Sequence, residues 1–215
     1  LDEINRIPLK SQSAFLEGLQ ERTVTVGKTT YELPTFNFAI ATMNPVELGQ
    51  GTFPLSEAAT DRFAIMVNIG YLPQEEEQRL VNFDFKRIHL NPLLSKQRIV
   101  ELRGAISDHV FLHERLGQYI QQLVAATRPY NPDTDWYQRS PSELVDRGVD
   151  LGASPRAIIC WGRLAKTWAL LEKQRTEVYP EDIQDLAPYI LGHRIWLGPH
   201  AASHGLTTSL VISDI

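Results

Sequence analysis

The stretch FNFAIATMNP, residues 36–45, decides which class of fold this chain adopts. It is largely apolar, without the regular polar alternation of a surface strand, and Asn44-Pro45 ends it. A short apolar run that is bounded by turn residues is typical of a strand buried on both faces, as in a parallel sheet. A second such run, FAIMVNI over 63–69, follows a Gly- and Pro-rich loop at 48–54 and a short helix predicted over 56–61. We therefore expect an α/β fold with a parallel sheet in the first third of the chain.

A Gly-Lys-Thr sequence lies just upstream, in VTVGKTTY over 24–31. In a phosphate-binding P-loop a further glycine stands five residues before the glycine that precedes the lysine, and Arg22 occupies that position here. Two short β-prone runs flank Gly27 and Lys28, which favours a β-hairpin over a nucleotide-binding loop. A helix is predicted before this hairpin, over 8–20.

Beyond Pro73 the pattern changes to helices. Polar residues and prolines dominate 129–150, which predicts a long loop or insertion there. We therefore divide the chain into 1–73, the C-terminal part of an α/β core, and 74–215, an all-helical subdomain. The predicted helices of the second part cover 74–86, 96–107, 114–127, 154–173 and 181–191.

Composition restricts the class of protein. With 215 residues, 43% of them hydrophobic and 22% charged, the chain can build one or two ordinary hydrophobic cores. A net charge of −5 argues against nucleic acid or an anionic membrane surface as a partner. Cys160 is the one cysteine, which excludes an internal disulfide, so we expect a structural thiol in a reducing, cytoplasmic compartment. No apolar run in the sequence approaches the length of a membrane span.

An acidic pair, Asp2-Glu3, lies in LDEINR at positions 1–6, which resembles the end of a hydrophobic strand. An aspartate at the carboxyl end of a strand can hold Mg²⁺, because this ion prefers oxygen ligands and keeps much of its hydration. An adjacent glutamate can orient or deprotonate an attacking water. Taken alone, such a dipeptide is more often a pair of solvated carboxylates.

Asn44 and Arg62 are further candidates at the ends of predicted elements. Asn44 lies at the same carboxyl edge as Asp2 if the two strands are neighbours, and ligands of open α/β sheets bind at that edge. An ordinary Asn-Pro turn explains Asn44 equally well. Arg62 lies where a short helix meets a strand, and it can reach a neighbouring subunit's phosphate or form a surface ion pair with Asp61 or Glu57.

Arg156 lies in the first turn of a predicted helix with Ser154 as N-cap and Pro155 at the first helical position. The helix dipole disfavours a cation there by roughly 0.3–1 kcal/mol. A nearby anion relieves that cost. A phosphate is one candidate for the anion, and a neighbouring Asp or Glu is the other.

Seven stretches, taken together and in order, resemble the MoxR family of AAA+ ATPases. The similarity extends over nearly the whole chain, and the departure is 129–150, where this sequence carries extra residues. The matching stretches are LDEINR, FLEGLQERTVTV, AIATMNP, QGTFPLSEAATDRF, LGASPRA, VYPEDI and LAPYILGHR.

The resemblance assigns roles to the candidate residues. Asp2 and Glu3 match the Walker B pair, with Asp2 for Mg²⁺ and Glu3 for the activation of water. Asn44 matches sensor 1, Arg62 matches an arginine finger that acts across a subunit boundary, and Arg156 matches sensor 2 in the helical lid.

The resemblance also implies a fold and an activity. The fold is a partial AAA+ core of the P-loop NTPase class with a parallel sheet, followed by an all-helical lid subdomain. The activity is Mg²⁺-dependent hydrolysis of ATP in a ring, expected to be a hexamer, which remodels or matures a protein client such as a von Willebrand A domain protein. The family's P-loop lies upstream of the Walker B pair, where this sequence starts, so we expect the chain as given to bind ATP poorly and to be inactive by itself.

Two alternatives stand beside this interpretation. A related AAA+ motor, such as a magnesium-chelatase motor subunit or a GTP-using restriction motor, would keep the mechanism and change the client and the base. A catalytically inert module that docks into a ring would be indifferent to the loss of Glu3 or Arg62.

Overall fold

The computed structural model of the chain describes residues 1–8, 11–12, 15, 18, 21–34, 36–44, 53, 55–84, 87–131 and 140–215. A short 3-10 helix, Ile4–Arg6, opens the chain. Strands β1 (Thr23–Val26) and β2 (Thr29–Glu32) then pair in antiparallel register. Gly27 has a φ of 65° in the connecting turn, a left-handed conformation that glycine adopts without strain. The predicted hairpin is therefore confirmed. The described residues of the helix predicted over 8–20 are helical from 11 onward, and its other residues lie outside the described set.

The start of the chain lies alongside residues 40–42 in a parallel arrangement. The Leu1 amine donates to the Ile40 carbonyl at 2.8 Å, and the Thr42 amide donates to the Leu1 carbonyl at 2.9 Å. This spacing of donors and acceptors is that of parallel strands. The Ile4 amide continues the contact by donating to the Thr42 carbonyl at 2.9 Å.

The strands predicted over 36–43 and 63–69 are not formed in the described residues, where both sheets are two-stranded and antiparallel. A buried strand needs a hydrogen-bonded neighbour on each edge. Ile65, Val67 and Ile69 are instead exposed by 44%, 52% and 89%. Both segments are apolar, but an apolar segment forms a strand only where neighbouring strands hydrogen-bond to it.

Helices dominate the chain from residue 57 onward. Helix 74–86 was predicted too long, since the observed helix stops at Leu80, whereas the helices predicted near 96, 114, 154 and 181 are confirmed to within a few residues. The helices are α1 (Glu57–Thr60), α2 (Gln74–Leu80), α3 (Lys96–His109), α4 (Glu114–Ala126), α5 (Glu143–Gly148), α6 (Pro155–Leu171), α7 (Pro180–Leu191), α8 (Pro199–Ser203) and α9 (Thr208–Asp214).

The region 129–150 is more regular than the predicted loop. Ser142 caps α5 by accepting a hydrogen bond from the Val145 amide at 3.3 Å. Strand β3 (Val149–Leu151) follows and pairs with β4 (Trp196–Leu197). The prediction of a loop is therefore wrong for 143–150, because the neighbouring prolines obscured a serine-capped helix start. Residues 132–139 lie outside the described set.

The main hydrophobic core lies between α4, α6 and α7. Trp161 is fully buried at its centre, and its indole N–H donates to the Ile183 carbonyl at 3.1 Å. The buried face of α6 repeats every four residues, as expected of one face of a helix. Its members are Ala157, Trp161, Ala165 and Ala169.

A single bridge closes this core at one edge. The Phe111 amide donates to the Thr176 carbonyl at 2.8 Å, and the Val178 amide donates to the Phe111 carbonyl at 3.0 Å. Helix α3 precedes the bridge; all fourteen of its residues are described, and none is buried. None of the described helices is both long and apolar enough to cross a membrane.

Candidate functional site

Thr42 braces the acidic pair at the start of the chain. Its hydroxyl donates to Asp2 Oδ1 at 2.5 Å and accepts from the Glu3 amide at 2.9 Å. The Glu3 carboxylate forms an ion pair with Arg6 Nε at 3.0 Å, with both side chains about half exposed. Glu3 has a φ of 49°, a left-handed conformation that is uncommon for a residue with a side chain. The acidic pair is thus held in one fixed geometry by its neighbours.

Asn5, which follows shortly after the acidic pair, contacts the backbone of Asn44. Only 4% of Asn5 is exposed, and its Nδ2 donates to the Asn44 carbonyl at 3.3 Å. Its Oδ1 is buried without a hydrogen-bond partner in the part of the chain that the structure describes. The backbone of Asn44 therefore lies near the start of the chain, and the roles of Asn44 and Asp2 remain predictions.

The side chains beside the acidic pair could bind Mg²⁺ only together with further ligands. Asp2 offers an exposed carboxylate of the oxygen chemistry that Mg²⁺ prefers. Among the described residues no group of three His, Cys, Asp or Glu side chains could by itself hold a metal ion. Phosphate oxygens and water would have to complete the coordination, which is the usual arrangement for this ion.

Asp61, which ends α1, is the centre of a second group. Its carboxylate accepts hydrogen bonds from Ser154 Oγ at 2.7 and 2.9 Å, from Arg156 Nη1 at 3.2 Å and from Arg194 Nε at 3.1 Å. Of the two explanations for Arg156, the neighbouring carboxylate is the one that the structure shows. Arg62 folds back along α1, where its Nη1 donates to the Ala58 carbonyl.

Arg194 is almost fully buried and holds the end of α1 against the lid. Besides its bond to the Asp61 carboxylate, its Nη1 donates to the Ala64 carbonyl at 3.2 Å and to the Ile190 carbonyl at 2.6 Å. Its Nη2 donates to the carbonyls of Phe63 at 2.6 Å and of Asp61 at 3.2 Å. Our sequence reasoning did not select Arg194. The available signal was an arginine between two apolar stretches, LAPYIL and IWL.

Further contacts attach residues 63–66 to α6 and α7. His193 Nε2 lies 3.0 Å from the Phe63 carbonyl, and the Cys160 thiol donates to the Ala64 carbonyl at 3.3 Å. The Met66 amide donates to the Tyr189 carbonyl at 2.9 Å. The segment between the core and the lid is therefore docked on the lid side.

Burial and these contacts alter three pKa values. Burial by itself would raise the pKa of Asp61, but hydrogen bonds from Ser154, Arg156 and Arg194 outweigh it and lower that pKa below its usual value. Burial raises the pKa of the Cys160 thiol. Burial, reinforced by the neighbouring Arg194 charge, lowers the pKa of His193 to about 4.

Helix α1 connects the two groups. Ala59 packs with Ile4 and Leu55 in a small core beside the acidic pair, while Asp61 at the helix end faces the lid. A cleft of about 200 Å³ lies where the end of α1 meets the lid. Its lining includes Glu57, Asp61, Leu151, Ser154, Arg194 and Trp196.

Comparison with known proteins places this geometry in a family. Residues 1–65 match AAA_3, described as ATPase family associated with various cellular activities (AAA), and residues 142–215 match the AAA lid domain. The chain is 36% identical over its whole length to the uncharacterized protein YeaC of Bacillus subtilis, of which it covers 62%. It is 34% identical to the chaperone MoxR1 of Mycobacterium tuberculosis, again over its whole length, and covers 54% of that protein.

A solved structure agrees with these matches. A putative ATPase from Cytophaga hutchinsonii superposes with a TM-score of 0.82 at 38% identity, over 99% of this chain and 62% of that one. The chain thus spans between about half and two thirds of the length of these relatives. The fold, the order of the acidic pair, α1 and lid, and these matches agree that the chain belongs to the MoxR family of AAA+ ATPases.

Proposed function

We propose that the full-length protein hydrolyses ATP with Mg²⁺ at the subunit interfaces of a ring and uses the energy to remodel or mature a protein client. The observation that carries this proposal is the acidic pair, which Thr42 contacts through Asp2 and Glu3, and which lies with the Asn44 backbone at the ends of two parallel segments. Ligands of open α/β sheets bind at such an edge.

Each residue of this edge has a definite task in the proposal. Asp2 would contribute an oxygen, directly or through water, to the coordination of Mg²⁺, which when bound neutralises charge that develops on the phosphates. Glu3 orients the attacking water and accepts its proton. Asn44 holds the water or the terminal phosphate by a side-chain hydrogen bond. The ion pair with Arg6 orients the Glu3 carboxylate while no substrate is bound.

The two arginines act from outside this edge. Arg156 lies in the first turn of α6 and half of its side chain is exposed, so it can bind a terminal phosphate in the same subunit. Arg62 is the proposed arginine finger, which stabilises charge on the phosphates of the neighbouring subunit. A ring, expected to be a hexamer, supplies that neighbour.

The client is a protein in this proposal. The name of the Mycobacterium tuberculosis relative describes it as a chaperone. We extend that role to this chain and propose a von Willebrand A domain protein as one class of client. Lid movement against the core would transmit the effect of hydrolysis to the client.

The test is the rate of ATP hydrolysis by the full-length protein and two variants. Glu3→Gln should lower kcat by about 10²–10⁴-fold, because the general base is lost. Arg62→Ala should lower it by about 10³-fold or more, because charge in the transition state is no longer stabilised. Mixing Arg62→Ala with Glu3→Gln subunits should restore part of the activity, since each contributes the group that the other lacks.

Glu32→Gln and Arg103→Ala are the matched controls, since they change an exposed glutamate on β2 and an exposed arginine on α3. Both should retain wild-type rates. Wild-type activity in Glu3→Gln and Arg62→Ala would contradict the role assignments, whereas no hydrolysis by the unmodified protein would favour the inert interaction module. A clear preference for GTP in competition with ATP would favour the restriction-type motor.

A further inference from the structure

We propose that Asp61 is a positioning residue that couples the arginine of the lid, Arg156, to the arginine finger, Arg62. The inference rests on the proposed function, because it takes Arg156 to bind the terminal phosphate in its own subunit and Arg62 to act on the neighbouring one. The inference concerns Asp61, to which the proposed function assigns no role in the reaction. Asp61 would report the presence of that phosphate from one nucleotide site to the next.

The contacts of Asp61 differ greatly in how easily they can be exchanged. The Arg194 side chain is 2% exposed, and the Arg156 side chain is 50% exposed, although both donate to the same carboxylate. An ion pair with a half-exposed arginine contributes little stability, whereas one with a buried arginine is lost only at considerable cost. Arg156 is therefore the partner that can leave Asp61, while Arg194 keeps the carboxylate in place.

A nucleotide phosphate is a suitable competitor for Arg156. The guanidinium contacts Asp61 through Nη1, and its remaining N–H groups can bind a second anion. A terminal phosphate carries more negative charge than a carboxylate and offers three acceptor oxygens, which match the planar fork of arginine. ATP carries this group as its γ-phosphate, and ADP, which ends at the β-phosphate, has no phosphate at that position. The exchange therefore distinguishes ATP from ADP.

Displacement of Arg156 affects Arg62 by a short route. Asp61 and Arg62 are adjacent at the end of α1, and the Arg62 and Phe63 amides continue that turn by donating to Ala59 at 3.3 Å and Thr60 at 3.1 Å. Ser154, which also binds Asp61, is the N-cap of the same helix that carries Arg156. A shift of this helix end toward a phosphate therefore changes two of the contacts that fix the end of α1.

The first experiment compares affinities for ATP and ADP in the full-length protein. Asp61→Asn is introduced together with Glu3→Gln, which stops hydrolysis, and its affinities are compared with those of Glu3→Gln alone. Loss of the competing carboxylate should tighten ATP binding relative to ADP by about threefold, as expected for a partly exposed ion pair. In the otherwise wild-type protein, Asp61→Asn should nevertheless lower kcat by at least about tenfold, because Arg62 is no longer positioned.

Tighter ATP binding together with a lower kcat distinguishes a positioning role of Asp61 from a merely structural one. Asp185→Asn is the matched control, because it removes a carboxylate from a partly exposed ion pair, with Lys173, that takes no part in the contacts of Asp61. It should leave the ratio of ATP to ADP affinity unchanged. An unchanged ratio and an unchanged kcat in Asp61→Asn would overturn the inference.

A second measurement needs no change at Asp61, in case that variant does not fold. Hydrogen exchange is followed in Glu3→Gln with ATP and with ADP. The amides of Arg62 and Phe63 should exchange at different rates in the two complexes, and equal rates would overturn the inference. If Glu3→Gln and Arg62→Ala abolish hydrolysis while these readouts do not differ, the coupling is wrong and the proposed function stands. Full hydrolysis in Glu3→Gln would instead overturn the proposed function and the coupling with it.

Discussion

Replacing Arg194 by glutamine should destabilise the protein far more than the same change at Arg156. Both arginines bind Asp61, but Arg194 is buried and also donates to the carbonyls of Phe63, Ala64 and Ile190. Its loss leaves a carboxylate that is 13% exposed without its buried counter-charge, and it removes one donor from each of these carbonyls. Removing one partner of a buried ion pair costs about 3–5 kcal/mol in free energy of unfolding.

For Arg156→Gln we expect a loss below about 1 kcal/mol, because the Arg156 side chain is half exposed and solvent can replace its contact. Arg194→Lys should remain close to Arg194→Gln, since an ammonium group cannot reproduce the fork that reaches several carbonyls at once. The measurement is urea unfolding followed by circular dichroism, with slopes compared to check that the unfolded states are alike.

A double variant tests the cause of the loss. Adding Asp61→Asn to Arg194→Gln removes the uncompensated charge, so the double variant should be more stable than the sum of the two single losses predicts. If Arg194→Gln costs less than about 1 kcal/mol, or if the two losses simply add, Arg194 does not hold the end of α1 in the manner described.

Three further predictions concern the lid and the segment docked on it. The pKa of His193 is about 4 in the folded protein and 6.5 when unfolded, so the folded state resists protonation. Stability that is present at pH 7 is therefore lost as the pH falls below 6.5. Unfolding experiments should show a loss of about 2 kcal/mol by pH 5, and His193→Gln should remove this pH dependence. In the same unfolding assay, Gly152→Ala should lower the free energy of unfolding by about 1–3 kcal/mol, because the added Cβ would lie 2.4 Å from the Thr127 carbonyl oxygen. Gly104→Ala should raise it by up to about 1 kcal/mol, because a Cβ there has nothing within 4 Å and alanine has the higher helix propensity. Alkylation of Cys160 by iodoacetamide at pH 8, followed by mass spectrometry, should be at least about tenfold slower in the folded protein than in urea, because burial raises its pKa; equal rates would contradict that.

The sequence predicted the helical lid well because its signals are local. Ser154 as N-cap and Pro155 at the first position mark the start of α6, and the structure confirms both. The apolar repeat around Trp161 indicates which face is buried. Such features depend on residues within a few turns of one another, so a single sequence contains them completely.

Features that depend on distant residues were missed or incomplete. A strand over 63–69 requires partner strands, and no pattern within the segment shows whether they are present. Arg194 and Asp61 are separated by 133 positions, so their ion pair cannot be inferred from spacing. The roles of the acidic pair and Asn44 remain predictions, and the contacts of Thr42 with Asp2 and of Asn5 with the Asn44 backbone required coordinates.

The bridge between Phe111 and Glu177 has a consequence for how the lid responds to proteases. It joins the residue that follows Val110 to the turn before α7, and the contribution of α3 to the buried core is limited to the partly buried Ile106. Helix α3 carries Lys96, Arg98 and Arg103 on a surface with no buried residue, and local unfolding of such a helix costs little free energy. Trypsin should therefore cut within α3 early and leave a resistant fragment that begins close to the bridge. In that case the lid, as a unit of folding, starts nearer residue 110 than residue 74, where the helical pattern of the sequence begins.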